Sequence, residues 1–416
     1  MIRRRTVLAS AAALPALGVP MLRAAIPVKI GVLFPLTGSS ASAGQQGKTA
    51  VEVALDVVNT PHPTLPELTF DPKGGLPGLG GATIEAVYVD HRGDPAVAQS
   101  LTQRLITGDK VAALLGSYQS STALTATAVA ERYGVPFIVS DSVANNITER
   151  NFKFTFRVTP IGANFAATYM RFVGDMIAAG HKVDSIALVN ENTDYGSQVG
   201  SSIEAAIKAS KIPLAVRIAY NANGADVSAQ VLQLKQANPT VVIFISYASD
   251  AILFMRTMKS LDYLPPMILA DDAGFNDLSF IPAVGSISQN LMSRSTWNLG
   301  PAGSLSARIN DAFKAKVGRD MDDASARDME ATFVLADALN RAGSTDPTKL
   351  QAALQATDLP KSKMVTGYDG VKFDAAGQNV LGATYLTQMH GTAYATVWPV
   401  TPGTAKIIWP MTGWKG

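Results

Sequence analysis

The sequence predicts an α/β fold built from two doubly wound, Rossmann-like lobes with parallel-type sheets. From Val28 onward, short apolar runs rich in Val and Ile alternate with longer segments of helical periodicity, the pattern of successive βα units. The alternation begins afresh at Ser185. About 390 residues follow a leader-like start, too many for one core and suited to two domains of roughly 150 to 200 residues each.

In the first lobe the apolar run Val28 to Phe34 reads as a strand. Gly44 to Asn59 follows as a helix with Val51, Ala54, Leu55 and Val58 on one face. Pro61 to Gly81, with five Pro and five Gly, reads as a surface loop, since strand pattern resumes at Ala82 to Asp90. Asp94-Pro95 supplies an N-cap and first-turn proline for a helix ending at Gly108. Strands at Val111 to Gly116 and Pro136 to Ser140 flank a helix from Ser121 to Tyr133, stopped by Gly134.

The second lobe repeats the style. Strands are expected at Ser185 to Asn190, Leu214 to Tyr220, Thr240 to Ser246 and Met267 to Ala270. Helices are expected at Gly196 to Lys211, Ala225 to Ala237 and Asp250 to Leu261. Small polar residues stand at the strand ends: Asp90, Ser117, Ser140 and Asp141 first, then Asn190, Ser246 and Asp271. Open parallel sheets bind ligands beyond the carboxyl ends of their strands, so two such sets favour a cleft between lobes.

The segment Gly116-Ser117-Tyr118-Gln119-Ser120-Ser121-Thr122 concentrates hydroxyls where a strand hands over to a helix. A serine or threonine there caps the first helical NH groups and leaves others free for a carboxylate or phosphate. Gly47-Lys48-Thr49 resembles the end of a phosphate-binding loop, but Ser42 stands where that loop needs glycine, so it reads as a helix with Lys48 on its solvated side. No G-x-S-x-G elbow occurs, and His62, His91, His181 and His390 are scattered, so neither serine hydrolysis nor a zinc site is indicated. Asp90-His91-Arg92-Gly93-Asp94 reads as a solvated connection. Asp271-Asp272 are neighbours on a strand, so one of them faces the cleft.

Met1 to Leu22 joins a basic start, Arg3-Arg4-Arg5, to an uncharged Ala/Leu/Pro run, and Leu22-Arg23-Ala24 is a passable cleavage site. Residues 1–24 therefore read as a secretory signal peptide, too short to span a membrane. Arg4-Arg5-Thr6-Val7-Leu8 has a twin-arginine character, although the usual flanking Ser and Lys are missing and the Sec route stays open. Cleavage takes four arginines and no acid from a net charge of +2 and leaves −2. The mature balance gives no electrostatic case for nucleic acid. The absence of cysteine excludes a lipid-anchored N-terminal Cys and any disulfide framework, and the expected protein is soluble and periplasmic.

Over nearly all of the mature chain the sequence resembles the branched-chain amino-acid (leucine/isoleucine/valine) type of periplasmic binding protein, the solute receptors of ABC transporters. The resemblance rests on Lys29 to Gly38, Asp94-Pro95, Gly116 to Ser121, Asp194-Tyr195-Gly196 and the late Gly367 to Phe373 turn-strand. It implies a type I periplasmic binding fold with three crossover segments. Residues 25–158 with 296–365 would form the N-terminal lobe, and 159–295 with 366–416 the C-terminal lobe.

By resemblance, Ser120 and a backbone NH near Ser142 hold the ligand carboxylate, with Tyr118, Ser121 and the Ala144 NH beside them. Tyr195 and Tyr247 face them from the second lobe, and Asp272 receives the ligand ammonium. Ala144 stands where leucine-type receptors carry threonine, and Ala43 where an aromatic ring covers the ligand, which implies a roomier pocket. The expected function is capture of a small amino acid, branched-chain or otherwise hydrophobic, for delivery to a membrane permease. No cofactor, metal or catalysis is expected, and a monomer is the default. An amide, aromatic acid or short carboxylate ligand is the alternative, and an exported hydrolase a weaker one.

Overall fold

The computed structural model describes residues 25–415, and the expected signal peptide lies outside them. The first sheet contains β1 (Val28–Phe34), β2 (Ile84–Asp90), β3 (Ala113–Gly116), β4 (Phe137–Val139) and β5 (Thr155–Arg157) in the order β2-β1-β3-β4-β5. Every pairing is parallel. Three helices connect these strands: α1 (Ala41–Asn59), α2 (Pro95–Thr107) and α3 (Ser120–Tyr133). The order reverses between β1 and β3, which makes a switch point at their carboxyl ends.

The second lobe runs α4 (Gly162–Ala178), β6 (Ile186–Glu191), α5 (Asp194–Ser210), β7 (Leu214–Tyr220), α6 (Ser228–Ala237), β8 (Val241–Ile245), α7 (Ala248–Ser260) and β9 (Met267–Ala270). Two short helices, α8 (Asp272–Phe275) and α9 (Phe280–Val284), lead to β10 (Met292–Ser295). The chain then returns to the first core through α10 (Leu305–Val317), α11 (Asp323–Ala342) and α12 (Pro347–Gln355). A two-stranded ribbon of β11 (Asp358–Pro360) and β12 (Gly370–Lys372) precedes β13 (Tyr385–His390) and β14 (Ala393–Trp398). The second sheet has the order β14-β13-β10-β9-β8-β6-β7, with its switch point at β6 and β8. It departs from a wholly parallel sheet only at the edge, where β13 is antiparallel to β10 and to β14.

The boundary expected at residue 366 falls too early. Tyr368, Val371 and Phe373 are buried in the first core, and the chain rejoins the second sheet only at β13. The apolar content of this segment makes the difference, because Tyr368 and Val371 have no exposed surface. The Pro/Gly-rich loop is also more than surface. Leu65, Leu68 and Leu76 reach the first core, and the Gly78 NH donates to Asn340 Oδ1 on α11 at 2.8 Å.

The charged stretch after β2 is structural rather than merely solvated. Asp90 Oδ1 accepts from the Leu36 NH at 2.8 Å and the Arg92 NH at 2.9 Å, which ties the ends of β1 and β2 together. Asp94 caps α2 through Ala96 NH at 2.7 Å, as its sequence position predicts. His91 is fully buried, accepts from the Gly93 NH at 3.1 Å through Nδ1 and donates from Nε2 to Ser117 Oγ at 3.0 Å. Burial pushes its pKa down to about 4. Lys48 lies on α1, paired with Glu52 at 3.8 Å, so no phosphate loop forms there.

Gly44 sets how closely α1 approaches the end of β1. A Cβ on Gly44 would lie 2.1 Å from the Pro35 carbonyl oxygen, a backbone atom that cannot rotate away. Gly44→Ala gains about 1 kcal/mol of helix propensity but forces this contact apart, at about 1–3 kcal/mol of overpacking cost or more. The expected outcome is a net loss of stability by urea denaturation; equal or higher stability would contradict the packing described.

Candidate functional site

Each lobe presents the carboxyl edge of its sheet to the other, and the loops there carry the site. At the end of β3, Gly116 has φ +134, and a Cβ would meet the Leu33 carbonyl oxygen at 2.4 Å, so only glycine makes this turn. The chain then passes Tyr118 and enters α3 at Ser120. Gln119, not a serine, is the N-cap, and it makes no side-chain capping bond. The serine capping expected from sequence does not form, because the hydroxyls are engaged elsewhere. Ser117 Oγ and Thr122 Oγ1 are 2.5 Å apart, and Ser120 Oγ accepts from the Ala144 NH at 3.2 Å.

The second lobe supplies the opposite wall. Glu191, at the end of β6, accepts from the Gly196 NH at 2.5 Å and from Thr193 Oγ1 at 2.8 Å, and so fixes the start of α5 and Tyr195 with it. Tyr247 is the N-cap of α7, and Asp272 opens α8. One small cavity between the lobes, of about 10 Å³, is lined by Tyr118, Ser120, Asp141, Val143, Tyr195, Tyr247, Asp272, Ala273 and Arg327. The first-turn or cap residues of four helices thus meet at one place, where helix dipoles favour negative charge. A second cavity of about 10 Å³ shares Tyr118, Asp272, Ala273 and Arg327 with it and extends to Ala43, Gln46, Asn276 and Asp323.

The lobes touch directly across this cleft. Tyr118 donates from its hydroxyl to the Ala273 carbonyl at 2.9 Å, Ser42 Oγ to Asp277 Oδ1 at 2.9 Å, and Asn145 Nδ2 to Ser202 Oγ at 2.8 Å. The Tyr118 ring meets Tyr247 at 5.8 Å between centroids, and Tyr247 meets Tyr195 at 5.1 Å. Ala43, expected to leave the pocket roomier, lines the second cavity together with Tyr118.

Beneath the cavity lies a buried charge network. Arg294, on β10, pairs with Asp271 at 2.6 Å and with Asp272, and its guanidinium lies 3.5 Å from the Phe165 ring centroid. Arg327, on α11 of the first lobe, pairs with Asp141 at 2.7 Å through Nε and with Asp272 of the second lobe through Nη1. Asp271 also accepts from the Tyr195 hydroxyl at 2.7 Å and the Tyr169 hydroxyl at 3.1 Å. Asp323 accepts from the Thr296 NH and hydroxyl, each at 2.6 Å, where the chain leaves the second sheet.

Four carboxylates, Asp141, Asp271, Asp272 and Asp323, share two guanidiniums. Burial pushes the Asp272 carboxyl well up and Asp141 to about 6, whereas the neighbouring guanidiniums and Thr296 hold Asp323 well below the usual range despite its burial. Asp328, next to Asp141, is likewise pushed well up by burial.

The structure brings Tyr118, Ser120, Tyr195, Tyr247 and Asp272 together around one cavity. It leaves the other three expected residues behind that surface. Ser121 is half-buried in the first turn of α3, Ser142 Oγ donates to the Ser117 carbonyl at 2.6 Å, and the Ala144 NH is spent on Ser120. Asp272 is not a free acid: both its oxygens face guanidiniums. Sequence reasoning missed Arg294 and Arg327. Their signal was a charge inside an apolar strand, Leu291-Met292-Ser293-Arg294, and charges in a helix with little polar face, Asp323 to Ala342. Among the described residues no group of three His, Cys, Asp or Glu side chains is arranged to hold a metal ion. No helix among them is long and apolar enough to cross a membrane.

Comparison with known proteins agrees with this architecture. The chain is 27% identical over 419 residues to the Leu/Ile/Val-binding protein homolog 7 of Brucella abortus, covering 99% of this chain and 100% of that one. The branched-chain amino acid transporter substrate binding protein LivJ of Streptococcus pneumoniae, solved in complex with isoleucine, has a TM-score of 0.75 at 19% identity, covering 92% of this chain and 100% of that one. A solute binding protein of an ABC transporter from R. palustris, solved in complex with benzoate, has a TM-score of 0.73 at 20% identity, covering 89% and 95%. A profile of the family described as periplasmic binding protein matches residues 27–393. With two doubly wound lobes, a lined cavity between them and a family match over most of its length, this chain belongs to the periplasmic binding proteins.

Proposed function

We propose that this protein is an exported, monomeric receptor that captures a small α-amino acid between its lobes and delivers it to the membrane permease of an ABC importer, without covalent chemistry. One observation carries the reading: the interlobe cavity has walls of opposite preference. Ser120 and the open N-terminus of α3 suit a carboxylate. Asp141 and Asp272, two of four acids that share two arginines, leave an excess of negative charge that suits an ammonium. Val143, Ala273 and the three tyrosines offer apolar surface between them. The leader-like residues 1–24 support export.

The relatives named for leucine, isoleucine and valine binding, and the neighbour that holds isoleucine, favour the amino-acid class. A second reading, a plain carboxylate ligand, has its own support. Asp272 is already engaged by two guanidiniums, and a structural neighbour holds benzoate.

The two readings separate by calorimetry on mature protein that has been unfolded and refolded to strip carried-over ligand. The amino-acid reading expects an L-amino acid to bind and its amine-free analogue and benzoate to fail. Ser120→Ala should weaken that binding about tenfold or more, the worth of a hydrogen bond to a charged group. Binding of the amine-free acids with no amino acid bound would replace this reading with the second.

The pH dependence has a definite sign. Asp141 is pushed up to about 6, so below that pH it takes a proton and loses its attraction for an ammonium. Amino-acid binding lowers that pKa and releases the proton, so affinity should fall by up to about tenfold per pH unit from pH 6 downward. A plain carboxylate would do the reverse and bind more tightly in acid.

A further inference from the structure

We propose that His91 is the positioning residue of the loop that carries Tyr118 and Ser120, and that one added proton on its ring releases that loop and with it the first-lobe wall of the cleft. The proposal rests on the reading of the interlobe cavity as a ligand site and adds its regulation; the test uses no ligand, so the two fail separately. His91, Ser117 and Thr122 have no exposed surface. The Gly93 NH donates to His91 Nδ1 at 3.1 Å, so the neutral ring carries its proton on Nε2 and donates it to Ser117 Oγ at 3.0 Å. Thr122 gives its own hydroxyl proton to the Gln119 carbonyl at 2.7 Å, which makes Ser117 the donor across the 2.5 Å to Thr122 Oγ1. These four bonds run one way, from the turn after β2 to the first turn of α3.

The chain ends on residues that form the cleft. Tyr118 donates to the Ala273 carbonyl of the other lobe at 2.9 Å and lines the cavity with Ser120. Gln119 packs over the turn, since a Cβ on Gly93 would lie 3.0 Å from its Nε2. Ser142 holds the Ser117 and Tyr118 carbonyls at 2.6 and 3.2 Å, which leaves the Ser117 hydroxyl to His91 and Thr122.

A second proton does not fit this arrangement. It would sit on Nδ1 and point at the Gly93 NH, donor against donor, and it would place a cation on a ring with no exposed surface. The neighbouring elements supply no free counter-charge. β1 offers the Phe34 carbonyl, which accepts from the His91 NH at 3.1 Å, and the segment into α3 offers uncharged Ser117, Gln119 and Thr122. Asp90 is the charge that acts on the ring, and its carboxylate is spent on the Leu36, Thr37 and Arg92 NH groups and the Thr37 hydroxyl. Arg92 and Asp94 are exposed, and Asp94 caps α2. Burial holds His91 down at about 4, whereas a ring swung into water returns to about 6.5. The closed loop therefore has its full stability above about pH 6.5, and each unit of acid below that favours release by about tenfold until the buried ring itself takes the proton.

Hydrogen exchange of the amides in 117–124, read by mass spectrometry on the mature protein and corrected for the intrinsic pH dependence of exchange, tests the release. Nitrogen-15 NMR of the histidine rings reads the tautomer. The expected result is an Nε2–H ring at neutral pH and protection that falls by up to about tenfold per unit below about pH 6.5. His91→Gln, which keeps a neutral donor toward Ser117 and cannot take a charge, should lose most of that acid dependence. His91→Leu should lose about tenfold or more of the protection at neutral pH, because it leaves the buried Ser117 hydroxyl without its donor. An Nδ1–H ring at neutral pH overturns the proposal, and so does an acid loss in His91→Gln equal to that of the native protein, since the response would then belong to another group such as Asp141. If His91→Leu does not fold, Ser117→Ala takes its place, because it cuts the chain at its second link and leaves the turn after β2 intact. Undiminished protection in whichever of the two folds also overturns the proposal.

Discussion

The contact on which the rest depends is the bridge from Arg327 of the first lobe to Asp272 of the second, with Asp141 and Arg294 as the outer members. Four buried residues in line, alternating in sign, join α11 and the end of β4 to α8 and β10. Taking such groups out of water costs several kcal/mol per ion, which their mutual attraction offsets only while the chain of pairs is complete. Removing one member strands the others, a loss of about 3–5 kcal/mol for buried pairs in general. The same network sets the electrostatics of the interlobe surface. Two guanidiniums do not neutralise four carboxylates, and burial answers by pushing Asp141 and Asp272 up.

The fold produces this meeting point as a consequence of winding. Each sheet reverses its strand order at one place, β1 with β3 in one lobe and β6 with β8 in the other. The loops and helix starts beyond those carboxyl ends carry Tyr118, Ser120, Tyr195 and Tyr247. Parallel strands force the following helices to start at that edge, so their N-terminal NH groups and partial positive charge face the cleft. Supporting contacts hold the loops: His91 under Ser117, Glu191 at the start of α5, Asp90 across β1 and β2. Glu330, buried on α11, accepts from the Val365 and Thr366 NH groups at 2.7 and 3.0 Å and anchors the returning chain.

Local signals in the sequence were enough for most of the first 270 residues. Val28 to Phe34, Leu214 to Tyr220 and Met267 to Ala270 were legible to the residue, because period and composition agree there. The Asp94 cap was legible from one Asp-Pro pair. Tyr118, Ser120, Tyr195, Tyr247 and Asp272, expected by family resemblance to contact a ligand, line one cavity together. The cap at Ser120 was misread because a row of hydroxyls does not say which one starts the helix. Arg294 and Arg327 were missed for a different reason. Their partners lie 22 and 55 residues away in the chain, and only the tertiary fold brings the pairs together. The late boundary near residue 366 was misplaced because a turn and a three-residue strand carry too little period to say which core they join.

Absence of cysteine allows a direct measurement of the bridge. Spin labels at Gln103→Cys on α2 and Gln233→Cys on α6, both exposed, report the distance between lobes by pulsed electron resonance. The account predicts one narrow distance in the otherwise native protein and a longer or broader distribution when Asp272→Asn removes the charge that Arg327 holds, with far-UV circular dichroism unchanged. An identical narrow distribution in the Asp272→Asn protein would contradict it, since the lobes would then be held together by something other than this ion network.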